Sequence, residues 1–137
     1  MSARIRSIDT AAEHALSIAP KLDYLKELSG GDQSFIAEIL ELFITDAPQA
    51  VEHAFGHLQQ RNFEMLRITV HKLKSSVQVV GGYHLTHLIH EIESNAKENG
   101  KQDALFQMLS LLRNGIQHLV NHLCQELKSL SSAGNAA

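Results

Sequence analysis

The sequence has few features of a protein that is secreted or that spans a membrane. It has one cysteine, Cys124, so it can form neither an intramolecular disulfide nor a multi-cysteine metal motif. No apolar run approaches the roughly 20 residues of a membrane span. The polar N-terminus, MSARIRSIDTAAEH, lacks the apolar centre of a signal peptide. We therefore predict a soluble cytoplasmic protein with no membrane partner.

The net charge is small, and the common catalytic motifs are missing. The formal net charge of -3 gives no general attraction for nucleic acid phosphates, so we expect no nucleic acid partner. The sequence shows no Gly-rich phosphate loop, no Ser-His-Asp arrangement and no paired catalytic carboxylates. We expect neither a cofactor nor autonomous kinase activity, and the protein is predicted not to be an enzyme acting alone.

Strand signals are missing, while apolar residues recur at helical spacing through four longer segments. Asp32 caps the first of these segments, and Pro48 is expected to restart or kink its helix because proline has no amide donor. Asn62 opens the second, and Gly81-Gly82 breaks it. The third ends at 99–100, and the last is predicted from about Gln102 to Leu130. Short connections imply antiparallel neighbours, so the predicted fold is all-α, an antiparallel four-helix bundle.

The ends of the chain are predicted to lie outside this bundle. One or two short cover helices are expected at the N-terminus, the second with an apolar face of Leu22, Leu25 and Leu28. The predicted organisation is an N-terminal helix or extension at 1–19, the bundle at 20–130, and a disordered tail at 131–137. A domain of this size with 44% apolar residues can bury a core without a partner, and we expect a monomer.

The stretch TVHKLKSSVQVVGG places His71 on the polar side of a predicted amphipathic helix. At about 100° per residue, Arg67, Lys74, Ser75 and Gln78 lie within about 60° of it. An accessible imidazole beside two cations suits a side chain that accepts a phosphoryl group.

Glu93 is predicted to lie beside His71 in the folded chain. His71 lies ten residues before Gly81, and Glu93 lies eleven after Gly82. In an antiparallel hairpin both are about 15 Å from the turn. The carboxylate could then accept a hydrogen bond from one imidazole nitrogen and leave the other as the nucleophile. His90 and Lys97 share its helix face, and Lys97 would add positive potential.

Several motifs surround this histidine. The stretch HKLKSSVQVVG combines it with Lys74 three positions on, a small residue at Ser75 and Gly81 ten positions on. LSGGD and LFITDAP stand upstream, and LIHEIE stands downstream. This combination resembles the histidine-containing phosphotransfer (HPt) family of two-component phosphorelays over roughly residues 20 to 125. Two positions depart from the family pattern: Ser75 stands where glycine is commonest, and Val70 where alanine is common.

The resemblance implies specific roles. His71 would be phosphorylated, Lys74 would stabilise the phosphoryl oxygens and Glu93 would orient the imidazole. The partners would be receiver domains, which supply their own aspartate, Mg²⁺ and lysine. The docking surface would include the cover helix around Leu25 and Leu28 and the helix from Phe35.

Two alternatives come from other classes of protein. The histidines could form a metal-binding bundle, although no carboxylates accompany them in di-iron spacing and no HExxH motif is present, so no metal is predicted. The histidines concerned are His53, His57, His84, His87, His90, His118 and His122. The other alternative is an HPt-like scaffold that binds receivers without carrying phosphate, against which the intact His71 argues.

Overall fold

The fold is all-helical in the part of the chain that the structure describes. This computed structural model describes residues 18–98 and 101–136, with side chains through Ser131. The helices are α1 (Asp23–Ser29), α2 (Gln33–Gln59), α3 (Phe63–Val79), α4 (Thr86–Lys97) and α5 (Gln102–Ala136), with a 3₁₀ turn at Tyr83–Leu85 before α4. The predicted helix within 1–19 falls outside the described residues, except that Ile18 and Ala19 are not helical.

The four longer helices form a bundle in which each has two neighbours. Helix α2 packs against α3 and α5, and α4 packs against the same two helices on the other side. Each helix turns one apolar stripe inward, and these stripes form one core. The predicted antiparallel bundle is confirmed, with α1 packed against α2 as a cover.

Helix α2 does not restart at Pro48, which was one of the two predicted effects of this proline. It continues as one helix from Gln33 to Gln59. The proline removes one backbone hydrogen bond, but Ala47 before it and Val51 after it are both buried on the same stripe. Packing on both sides of Pro48 therefore stabilises the continuous helix.

Capping residues set the starts of α2 and α3 as predicted. The side chain of Asp32 accepts a hydrogen bond from the Phe35 amide, and that of Asn62 accepts one from the Met65 amide. Helix α5 extends past the predicted end at Leu130 to Ala136, because a helix adds a backbone hydrogen bond with each further residue. None of the described helices is both long and apolar enough to cross a membrane.

Candidate functional site

The site centres on His71, which lies on the outer side of α3. The inward stripe of this helix consists of Leu66, Val70, Leu73 and Val77, all buried. His71 follows Val70 and is rotated about 100° from it, so its side chain leaves the core and is 61% exposed. The ring is therefore open to a partner while its backbone is fixed in a packed helix.

Glu93 reaches His71 from the neighbouring helix. The chain turns back between α3 and α4 at Gly81-Gly82, and α4 presents Glu93 at the height of His71. Nδ1 of His71 lies 3.1 Å from Oε2 of Glu93. The structure thus brings His71 and Glu93 together, as their equal spacing from the turn predicts.

Lys74 contacts the same carboxylate. Its Nζ lies 3.1 Å from Oε1 of Glu93, an oxygen that is shielded from water. The side chains of Lys74 and Glu93 are only 24% and 15% exposed. Glu93 therefore bridges one residue of the site to the other, and its two oxygens have different partners.

These contacts fix the charge of Glu93. Burial acts to raise its pKa, but the His71 imidazole and the Lys74 ammonium beside the carboxylate together outweigh burial. The pKa of Glu93 is consequently lowered from the ordinary value of 4.5. The carboxylate is ionised near neutral pH and can only accept hydrogen bonds.

An ionised Glu93 also determines which imidazole nitrogen holds the proton. In the neutral ring one nitrogen donates and the other accepts. Since Nδ1 faces a carboxylate, Nδ1 carries the hydrogen and donates it, and Nε2 keeps its lone pair. Within the described part of the chain, Nε2 of His71 has no hydrogen-bond partner. The neutral ring thus has a nitrogen lone pair available on a side chain that is largely exposed.

The remaining predicted residues border this trio without bonding to it. Ser75, Gln78, His90 and Lys97 are exposed, and Arg67 is half-buried. Among the described residues, none of these five side chains makes a hydrogen bond or ion pair with His71, Lys74 or Glu93. On the predicted polar side of this helix, His71, Ser75 and Gln78 are exposed, whereas Arg67 and Lys74 are half-buried. The Lys74 ammonium lies against Glu93.

Gly81, the glycine of the motif that contains His71, shapes the turn after α3 through its backbone. It has φ of 80°, a left-handed conformation that side chains rarely adopt. Its carbonyl accepts a hydrogen bond from the Lys21 amide at 3.2 Å, and an added Cβ would overlap the Lys21 backbone. Gly81 therefore ends α3 and also anchors the segment that leads into α1.

A groove on the other flank of α3 was missed by sequence reasoning. It runs between α2 and α3, and its lining includes Leu42, Asp46, Met65 and Lys72. Lys72 directly follows His71, so a helical wheel could have indicated its position. The contribution of Asp46 depends on how α2 and α3 pack, which spacing within one helix does not give.

The described residues give no geometric support to the metal-binding alternative. Within 18–98 and 101–136, no three or more His, Cys, Asp or Glu side chains are placed to share one metal ion. His87 instead lies 3.8 Å from Glu91 on its own helix.

An antiparallel helical bundle with an exposed histidine that contacts a carboxylate from the next helix has the architecture of a phosphocarrier. The family model of the Hpt domain matches residues 38–122. The chain belongs to the Hpt family, and this membership implies a role in histidine phosphotransfer within phosphorelays, in which Hpt domains interact with receiver domains. Searches of curated proteins and of solved structures found no match.

Proposed function

We propose that this chain carries a phosphoryl group on Nε2 of His71. The group would come from the aspartyl phosphate of one receiver domain and pass to the aspartate of another. The observation that carries this proposal is the 3.1 Å contact between Nδ1 of His71 and Glu93 on a side chain that is 61% exposed, an arrangement that favours Nε2 as the nucleophile.

The proposed phosphoryl transfer needs no cofactor bound to this chain. The Nε2 lone pair attacks phosphorus, a P–N bond forms, and the P–O bond to the receiver aspartate breaks. The electron pair of that bond stays with the aspartate as a carboxylate. The ring becomes positively charged, and Glu93 stabilises it through the Nδ1 hydrogen. The reverse sequence delivers the group to a second receiver.

Lys74 supplies positive charge as the phosphoryl group arrives. In the structure its ammonium lies 3.1 Å from Oε1 of Glu93. Lys74 itself lies about one helical turn after His71. Phosphoryl oxygens bring new negative charge, and a flexible lysine can move toward them. Lys74 would then stabilise the phosphorylated state.

The receiver would dock beside His71 on the cover helix and α2. Leu28 is 58% exposed and Phe35 39% exposed, so both can contact a partner. Leu25 cannot take the docking role expected for it, because it is fully buried between α1 and the bundle. Mg²⁺ would belong to the receiver, where it would activate the aspartyl phosphate.

The test is phosphorylation of the purified chain by a phosphorylated receiver domain and, separately, by phosphoramidate. We expect an acid-labile, base-stable phosphohistidine in both reactions, and no label from ATP alone. His71→Gln should abolish the label without changing helicity. The control is His87→Gln, because His87 is also exposed and near a glutamate. Label that persists in His71→Gln would overturn the assignment.

A further inference from the structure

The groove between α2 and α3 is mostly apolar but carries charge on both walls. Its apolar lining includes Leu42, 54% exposed, and Met65, 40% exposed. Asp46 lies on the α2 wall and Lys72 on the α3 wall. A groove of this kind, with an apolar floor and a few placed charges, suits an amphipathic helix.

The two charged residues have no structural role in the described chain. Asp46 and Lys72 are both exposed. Neither forms an ion pair or a side-chain hydrogen bond with a described residue, although other charged residues do so, such as Arg113 with Glu52 at 2.8 Å. Their charges are therefore available to a molecule that lies in the groove.

The groove is continuous with the phosphorylation site. Lys72 follows His71 directly, and Ile68, which lies one turn before His71, also lines the groove. A helix bound there would contact the same turns of α3 that present the histidine. An occupant of the groove would therefore lie beside the part of α3 that carries His71.

We propose that Asp46 and Lys72 determine which receiver domains exchange phosphate with this chain, an inference that rests on the proposed function. The occupant is an amphipathic helix on the surface of the receiver. Its apolar ridge lies in the groove, a basic side chain faces Asp46, and an acidic side chain faces Lys72. A receiver helix with the opposite charges is rejected, because like charges at an interface repel each other.

The experiment uses the full chain and a panel of purified receiver domains from the same organism, phosphorylated with acetyl phosphate. Transfer to His71 is measured as kcat/KM for Asp46→Lys and Lys72→Glu, at low and high salt. We expect each reversal to lower transfer from the preferred receiver about tenfold. Receivers with the opposite charge should improve, so the rank order of the panel changes. High salt should reduce these differences.

The matched control reverses two charges on α5, the helix diagonal to α3. Glu126→Lys and Lys128→Glu alter exposed residues and should leave the rank order unchanged. Asp46→Asn and Lys72→Gln provide milder variants should a reversal disturb folding. An unchanged rank order in all four groove variants, or an equal change in the α5 variants, would overturn the proposal.

Phosphoramidate separates this proposal from the function on which it rests. It is a small donor that needs no docking surface, so it should label His71 equally in the wild-type chain and in every groove variant. Slower labelling in the groove variants would count against a docking role and point to a disturbed His71. Failure to label the wild-type chain would overturn the proposed function itself.

Discussion

Glu93 is the residue on which the other two side chains of the site depend. One of its oxygens accepts from Nδ1 of His71, and the other faces the ammonium of Lys74, each at 3.1 Å. A single carboxylate thus favours one tautomer of His71 and keeps the Lys74 ammonium nearby. Because these two roles use different oxygens, substitutions can separate them.

Replacing Glu93 should act on the tautomer of His71. In Glu93→Ala no acceptor faces Nδ1, so we expect mixed tautomers and phosphorylation by phosphoramidate about tenfold to a hundredfold slower. In Glu93→Gln the amide oxygen can still accept, so the tautomer should be largely kept. The measurement is ¹⁵N NMR of the His71 ring alongside labelling rates. An unchanged tautomer in Glu93→Ala would rule out the orienting role.

Replacing Lys74 should act on the product. Lys74→Met removes the cation expected beside the phosphoryl oxygens, so the half-life of phosphohistidine should fall about tenfold. Lys74→Arg keeps the charge and should retain much of the half-life. The decay is followed by ³¹P NMR after the donor is removed. Equal half-lives in the Met variant and the wild-type chain would mean that the ammonium stays with Glu93 after phosphorylation.

At the scale of elements, the turn after α3 sets the height of the site. Gly81 and Gly82 reverse the chain so that Glu93 meets His71 on the adjacent helix. The same turn anchors the segment before α1 through the bond from Lys21 to Gly81. The motif glycine thus acts through its backbone, because it lets two chain segments approach closely where a Cβ would not fit.

Gly81→Ala should therefore be strongly destabilising. The positive φ and the overlap with Lys21 act together, and we expect a loss of about 2–4 kcal/mol in the free energy of unfolding. The control is Gly56→Ala inside α2, where an added Cβ meets nothing within 4 Å. That change should stabilise by about 0.5–1 kcal/mol. Urea unfolding measures both, and similar values for the two variants would contradict this account of the turn.

At the scale of the whole molecule, the packed bundle fixes the helix that carries the exposed His71. The inward stripes of all four long helices are buried, while His71 stands outside them. In the proposed function the site needs no cavity, because the receiver domain would supply the rest of the chemistry. Glu93 and Lys74 are the half-buried ionised groups of the trio, and the shifted pKa of Glu93 couples this site to the stability of the fold.

Stability should therefore depend on Glu93 at acid pH. Its pKa is lower in the folded chain than the ordinary 4.5, so its contribution is present above about 4.5 and is lost as the pH falls toward the folded value. We expect the stability difference between the wild-type chain and Glu93→Gln to shrink over that range. Urea unfolding at successive pH values measures it. A difference that stays constant or grows on acidification would reverse the expected sign.

The sequence by itself determined the helices and indicated His71 as the proposed phosphorylation site. Periodic apolar residues, two side-chain caps and the Gly81-Gly82 break are local features, because each depends on backbone geometry over a few residues. The level of Glu93 with His71 also followed from spacing, since helices rise by a fixed amount per residue.

The tertiary structure decided the features that residue spacing within one helix cannot predict. Lys74 turned to Glu93 because the neighbouring helix brought a half-buried carboxylate within its reach. Helix α2 passed through Pro48 because burial on both sides outweighed one missing hydrogen bond. Leu25 became buried and Leu28 exposed when α1 packed on the bundle. Asp46 and Lys72 came to face one groove only through the packing of α2 on α3. Each outcome depends on which surfaces meet, and contacts between distant residues decide that.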